Sequence, residues 1–199
     1  NQPEQATAER RLAQLLLAVT ACNDARLVPP TTPEGPWEAI GDPTEAALLA
    51  AAAKAGLEPT LVDQLLPRVG ELPFDSQRKQ MTTVHRTADG SLVAYLKVAP
   101  EVLLAPRTLA DDAELTGAAL EVAHQLATQG YRVLAVAATG PDWAGVTTAE
   151  GPLDEQTLQS AERHAHLLGL VGILDPPRPA AARTVQACQQ AGIAQVVIT

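Results

Sequence analysis

The side chains whose types and spacing suggest chemistry are few. The lysines are Lys54, Lys79 and Lys97, and the only phenylalanine is Phe74. Lys79 closes the run PFDSQRK that contains Phe74, and Lys97 stands in YLKVAPE. A ring face that can stack on a flat heteroaromatic base, with ammonium groups nearby to offset phosphate charge, is the minimum kit for a purine nucleotide. Taken alone, burial statistics favour Phe74 as an ordinary core residue and the lysines as solvated side chains.

Other candidates have plain structural readings. Glu45 stands three residues after Asp42 in GDPTEAALL, the third-position partner of a helix capping box. His164 and His166 fall in a segment read as helical, where a spacing of two splays side chains by about 200°, whereas metal ligands share the i, i+3 or i, i+4 face. His85 and His124 have no local Cys, Asp or Glu spacing that would make them ligands or bases. Neither a Walker-type phosphate loop, nor G-x-G-x-x-G after a strand, nor a serine nucleophile elbow occurs.

These residues need elements to position them. Apolar residues Leu12, Leu15, Leu16 and Val19 recur at helical spacing over residues 6–21. The proline-rich VPPTTPEGPW of residues 28–37 interrupts regular structure. Asp42 as N-cap, Pro43 in the first turn and Gly56 as terminator predict a second helix. Residues 68–73 form a possible strand. Residues 80–86 and 91–98 flank Thr87-Ala88-Asp89-Gly90, whose Asp-Gly suits a hairpin turn. A helix over 112–128, a strand over 131–138 and a helix over 154–166 follow. The last stretch reads strand, helix, strand. Its continuous apolar runs LGLVGILD and QVVIT suit a parallel sheet buried on both faces, which places a boundary near residues 170–177.

Composition narrows the function classes. The 199 residues carry 14 Lys and Arg against 23 Asp and Glu, a formal charge of −9, which argues against a broad nucleic-acid surface. Apolar runs fall far short of the roughly 20 residues that span a bilayer, and no secretory leader opens the chain, so the reading is a soluble piece that does not itself insert in a membrane. Two cysteines, Cys22 and Cys188, are expected as reduced thiols in a cytosolic setting. Aromatic residues make up 3% of the chain, so its core must be built mainly from Ala, Leu and Val.

Six motifs, CNDA (22–25), GDPTEAALL (41–49), PFDSQRKQMTTV (73–84), KVAPE (97–101), YRVLA (131–135) and LVGILDPPRP (170–179), occur in an order and spacing that resemble the P-type cation-transporting ATPases of the calcium and sodium pump branch. The resemblance covers nearly the whole chain. It implies an α+β cytosolic nucleotide-binding domain over residues 1–170, an antiparallel β-sheet flanked by helices. Residues 171–199 would then be the hinge and a short βαβ remnant of the α/β, HAD-like phosphorylation domain.

By the same resemblance Phe74 stacks on adenine, Thr44 and Glu45 lie by the base, Lys79 and Lys97 line the pocket, Arg132 reaches toward the phosphates and Leu134 packs nearby. Asp175, Pro176, Pro177 and Arg178 match the hinge, where paired prolines restrict bending. The implied ligand is ATP, with Mg²⁺ in the parent enzyme but not on residues of this chain alone. The implied partners are the remaining phosphorylation, actuator and membrane domains of a bacterial pump.

Three departures qualify this. Val98 stands where the family has glycine in Lys-Gly-Ala-Pro-Glu, placing a β-branched side chain where backbone could need positive φ or close approach to nucleotide, with lowered affinity expected. The phosphorylated aspartate of Asp-Lys-Thr-Gly-Thr is absent, and the sequence stops at VVIT before the expected Gly-Asp. The expected role is therefore to hold ATP for phosphoryl transfer to an aspartate outside this chain. The alternative is a degenerate module that positions other domains without nucleotide. An independent phosphatase or hydrolase is disfavoured by the missing aspartate nucleophile motif.

Overall fold

The computed structural model describes residues 2–32, 34–105, 113–140, 143, 153–176 and 178–196. In chain order the elements are α1 (Gln2–Ala21), β1 (Arg26–Val28), β2 (Glu38–Ile40), α2 (Pro43–Lys54), α3 (Pro59–Leu65), β3 (Arg68–Asp75) and β4 (Gln80–Arg86). They continue with β5 (Leu92–Val98), α4 (Pro100–Leu103), α5 (Ala113–Thr128), β6 (Arg132–Thr139), α6 (Glu155–Arg163), β7 (Ala165–Ile173) and α7 (Pro179–Gln190). The sheet order is β3-β4-β5-β6-β7 with every pair antiparallel, and β1 and β2 form a separate two-stranded ribbon. This is the α+β architecture expected from the sequence.

Local chemistry accounts for the elements that carry the site. The Asp42 side chain accepts hydrogen bonds from the Thr44 and Glu45 amides, satisfying donors that a helix start leaves open. Gly56, at φ +81°, takes the left-handed conformation that closes α2. The β4–β5 hairpin turns at residues 87–91, where the Asp89 carboxylate accepts from the Ser91 amide and from the Thr87 and Ser91 hydroxyls.

Strand alternation divides the sheet into two faces, each covered by helices. One face presents Val84, Leu96, Val98, Ala135 and Ala137, packed against Leu103 of α4, Leu120 of α5 and Leu158 of α6. The other presents Met81, Tyr95 and Val136 beneath Val19 and Cys22 at the end of α1, Leu48 of α2 and Val62 of α3. Ala94, Ala135 and Ala137 are fully buried, so small side chains let helices approach the sheet in a core with few rings.

Two expectations are corrected here. The last helix before the hinge ends at Arg163 rather than at His166. His164 caps it, and Ala165 and His166 already belong to β7. The apolar run that suggested a parallel βαβ unit is this same β7. It pairs antiparallel with β6 from Arg132↔Ile173 to Thr139↔Ala165, so the expected boundary at 170/171 falls inside a strand of the main sheet. The run is apolar because both faces are covered: Leu167 and Leu170 join the core under α5, while Leu168, Val171 and Ile173 join the core under α1. After α7, residues 194–196 form no strand, and the end of QVVIT lies outside the described residues.

Candidate functional site

The start of α2 is tied to the sheet by two side-chain bridges from adjacent helix residues. The Glu45 carboxylate forms an ion pair with the Lys97 ammonium of β5, and the Thr44 hydroxyl accepts from Arg132 Nη1 of β6 at 2.8 Å. Lys97 is 7% exposed and Glu45 17%, so the pair lies under the surface, whereas the Thr44–Arg132 bridge faces water. Hydrogen bonding from the Thr44 hydroxyl, reinforced by the α2 amides and Arg132, holds the Asp42 carboxyl below its ordinary range.

Glu45 therefore does not close a capping box. Its second oxygen accepts from the Asp24 amide at 3.0 Å, and its own carbonyl accepts from Asn23 Nδ2 at 3.0 Å. The CNDA segment is thus the joint between α1, α2 and β3. Asn23 Nδ2 also reaches back to the Val19 carbonyl, and Arg68 donates to the Ala21 and Asn23 carbonyls and pairs with Asp24 at 2.7 Å. Burial opposes the Arg68 charge, but Asp24 and Glu71 outweigh it and hold its pKa above the usual value. Cys22, fully buried beneath this joint, has its thiol pKa pushed up by desolvation. Reading the sequence assigned CNDA no structural work. Its signal was an Asn-Asp pair directly after a helix, a pattern that favours side-chain-to-backbone hydrogen bonds.

Phe74 sits where β3 breaks register. Leu72 pairs with Thr82 and Asp75 with Gln80, so Pro73 and Phe74 together oppose the single residue Met81. Met81 pairs in turn with Lys97, and Lys97 with Val136. The row Phe74, Met81, Lys97, Val136 crosses four strands, which sets Phe74 two strand spacings, about 10 Å, from Lys97. Phe74 is 66% exposed, so it is not the ordinary core residue that burial statistics favour. Leu134, two residues from Val136 on the same side of β6, is half-buried against that core and stands beside Arg132.

Lys79 lies apart from the bridged residues. It ends the turn after β3 with φ 52°, the only non-glycine residue at positive φ among the described residues, and its ammonium pairs with Glu101 at 2.9 Å. The Asp75 side chain accepts from the Gln77 and Arg78 amides to fix that turn. Lys79 and Glu101 are both more than half exposed. Glu101 is a further residue to which the sequence gave no role.

Val98 departs from the expectation attached to it. It is a regular strand residue paired with Gln80 and Ala135, and its side chain is 1% exposed in the core under α4 and α5, on the face opposite Lys97. No positive φ is required there, and the isopropyl group does not enter the site. Of the hinge residues, Asp175, Pro176 and Arg178 are exposed between β7 and α7, and Pro177 lies outside the described residues.

The arrangement comprises an exposed ring at Phe74, a half-buried Leu134, and cations at Lys97 and Arg132 that are each held by a side-chain partner. Among the described residues no helix is long and apolar enough to cross a membrane. Residues 11–180 match the family described as P-type ATPase, cytoplasmic domain N. The chain is 35% identical over 196 residues to a calcium-transporting ATPase of Bacillus subtilis, covering 94% of this chain and 21% of that protein. It is 37% identical over 202 residues to the probable cation-transporting ATPase F of Mycobacterium tuberculosis H37Rv, covering 99% and 21%. A third relative, the cation-transporting ATPase pma1 of Synechocystis, is 36% identical over 194 residues, 94% of this chain and 20% of its own length. The chain thus spans about a fifth of the relatives it matches. It belongs to the P-type ATPases, as their cytoplasmic domain N.

Proposed function

We propose that this domain holds ATP for a cation pump, presenting the terminal phosphate to an aspartate outside the chain. The observation that carries this reading is the exposure of Phe74 in the same cross-strand row as Lys97, with Arg132 and Leu134 two to four residues along β6 from that row's Val136. A ring without cover is poorly explained by packing, and it suits stacking on a base. Lys97 and Arg132 supply positive charge in a chain whose formal balance is −9. Lys79, on the turn beyond Phe74 and paired with Glu101 of α4, is a further cation close to that ring along the chain.

Each cation is engaged in the free domain, Lys97 with Glu45, Arg132 with Thr44 and Lys79 with Glu101. Binding therefore exchanges these partners for phosphate oxygens, and the net gain is the difference between two sets of hydrogen bonds. That predicts modest affinity. The Mg²⁺ that accompanies ATP in the parent enzyme would balance charge at the phosphates, and no residue of this chain is assigned to it.

The reading is tested by calorimetric or NMR titration of the chain with ATP, with AMP and GTP as controls, with and without Mg²⁺. Saturable, adenine-preferring binding that shifts resonances around Phe74 and Lys97 is the expected result. Phe74→Ala should weaken ATP about 5- to 150-fold, the worth of one base–aromatic stack. Absence of binding at millimolar ATP would instead assign the domain a purely structural role.

A further inference from the structure

At the far end of the α1-covered face, away from Lys97, a cavity of about 590 Å³ opens between α1 and the strands β5, β6 and β7. Leu17 forms its roof, and Val93, Ala138 and Leu168 supply apolar walls. Its polar groups are Gln14, Tyr95, Thr139 and His166. The size falls within the range of about 300–1,000 Å³ typical of small-molecule sites.

Tyr95 is the residue that gives this cavity a direction. It is 7% exposed, and its ring is held against His85 with centroids 5.6 Å apart and planes inclined by 51°. Among the described residues its hydroxyl has no hydrogen-bond partner, and burial pushes its pKa up. The ring is held in the core while the hydroxyl opens on the cavity, so its O–H is offered to whatever occupies that space, water or ligand. Thr139 Oγ1 accepts from the Ala94 amide at 2.9 Å, which leaves its O–H to donate into the same space. The opposite wall depends on Gly140: a Cβ there would stand 2.9 Å from His166 Cδ2 and Nε2, so glycine is what lets the imidazole lie against the β6 end.

We propose that this cavity is a second ligand site, distinct from the nucleotide site, for an uncharged flat amphiphile whose apolar body lies between Leu17 and Leu168 and whose acceptor oxygen takes the Tyr95 O–H. Among the described residues the walls contain no Asp, Glu, Lys or Arg. A phosphate or carboxylate would enter without a fixed counter-charge from Lys or Arg, with only the His166 imidazole to offset its desolvation, so a nucleotide is disfavoured here. A neutral carbonyl meets the donors and leaves the apolar walls covered.

The test uses benzamide as the probe and benzoate as its charged counterpart, each titrated into the 199-residue chain and followed by ¹H–¹⁵N NMR. Benzamide should give saturable shifts at Val93, Tyr95, Ala138 and Leu168, and benzoate should bind at least ten-fold more weakly. Tyr95→Phe keeps the ring and its packing and should weaken benzamide about 3- to 10-fold, the worth of one hydrogen bond. Leu17→Trp should fill the space and abolish the shifts. Any of three results overturns the proposal: no saturable shift, shifts confined to the Phe74 side of the sheet, or equal affinity in the wild type and Tyr95→Phe. The last comparison stands even if Leu17→Trp does not fold.

Discussion

Glu45 at the first turn of α2 and Lys97 in the middle of the sheet form one ion pair that is 17% and 7% exposed at its two ends. The pair joins the element that starts the site to the strand that floors it. In the free domain the Lys97 charge is therefore already met by a carboxylate, which any anion binding there would have to replace.

Breaking this pair from either side should cost stability. Lys97→Met leaves the Glu45 carboxylate with the Asp24 amide as its remaining partner, and Glu45→Gln leaves a nearly buried ammonium without an anion. Each single change should lower unfolding free energy by about 2–4 kcal/mol, and the double variant by less than the sum. Urea denaturation of the four proteins gives the coupling directly. Additive losses would show that the two residues stabilise the fold separately.

At Lys79 the backbone favours glycine, whereas the proposed nucleotide site calls for a cation. Its φ of 52° costs a side-chain-bearing residue about 1 kcal/mol that glycine does not pay. Its ion pair with Glu101 is exposed at both ends and contributes little. Lys79→Gly should therefore leave stability unchanged or raise it by up to about 1 kcal/mol while weakening ATP. A marked loss of stability would place Lys79 among structural residues.

How much of this was legible in the sequence depended on range. Asp42, Pro43 and Gly56 delimit α2 because a helix end is satisfied by residues within one turn of it, and Asp-Gly at 89–90 likewise fixed the hairpin. The resemblance placed Thr44, Glu45, Lys97, Arg132 and Leu134 in one site, and the fold does bring Thr44 to Arg132 and Glu45 to Lys97. Periodicity failed where tertiary cover decides. The run in β7 looks like a parallel strand because helices lie on both of its faces, and no count of apolar residues separates that from a βαβ unit. The local grammar also misread Glu45, whose carboxylate finds partners 21 and 52 residues away rather than in its own first turn.

Val98 illustrates the same limit and gives a sharp test. Comparison of motifs made it a threat to nucleotide affinity, whereas its side chain is buried on the opposite face of the sheet. Val98→Gly should remove a buried side chain and loosen a central strand, at a cost of about 2–4 kcal/mol. ATP affinity, measured below the variant's unfolding temperature, should stay within about two-fold. A gain in affinity without loss of stability would restore the steric reading.

His85 makes stability depend on pH in a direction that geometry fixes. The ring is 1% exposed, its Nδ1 donates to the Leu66 carbonyl at 2.8 Å, and its Nε2 accepts from the Thr83 hydroxyl at 2.9 Å. That is the neutral tautomer. Burial, the largest influence, lowers its pKa below the ordinary value of 6.5, and Arg68 acts in the same sense, against the Leu66 hydrogen bond and Asp63. Because the unfolded chain then binds the proton more readily than the folded one, this contribution is full above about pH 6.5 and is lost as pH falls from there toward the depressed folded value. Urea midpoints compared at about pH 8 and pH 5.5 should drop more for the wild type than for His85→Gln, which cannot titrate. Equal drops in the two proteins, which is to say a His85→Gln loss that does not change with pH, would assign the acid sensitivity to carboxylates elsewhere and leave the ring acting through packing and hydrogen bonds alone.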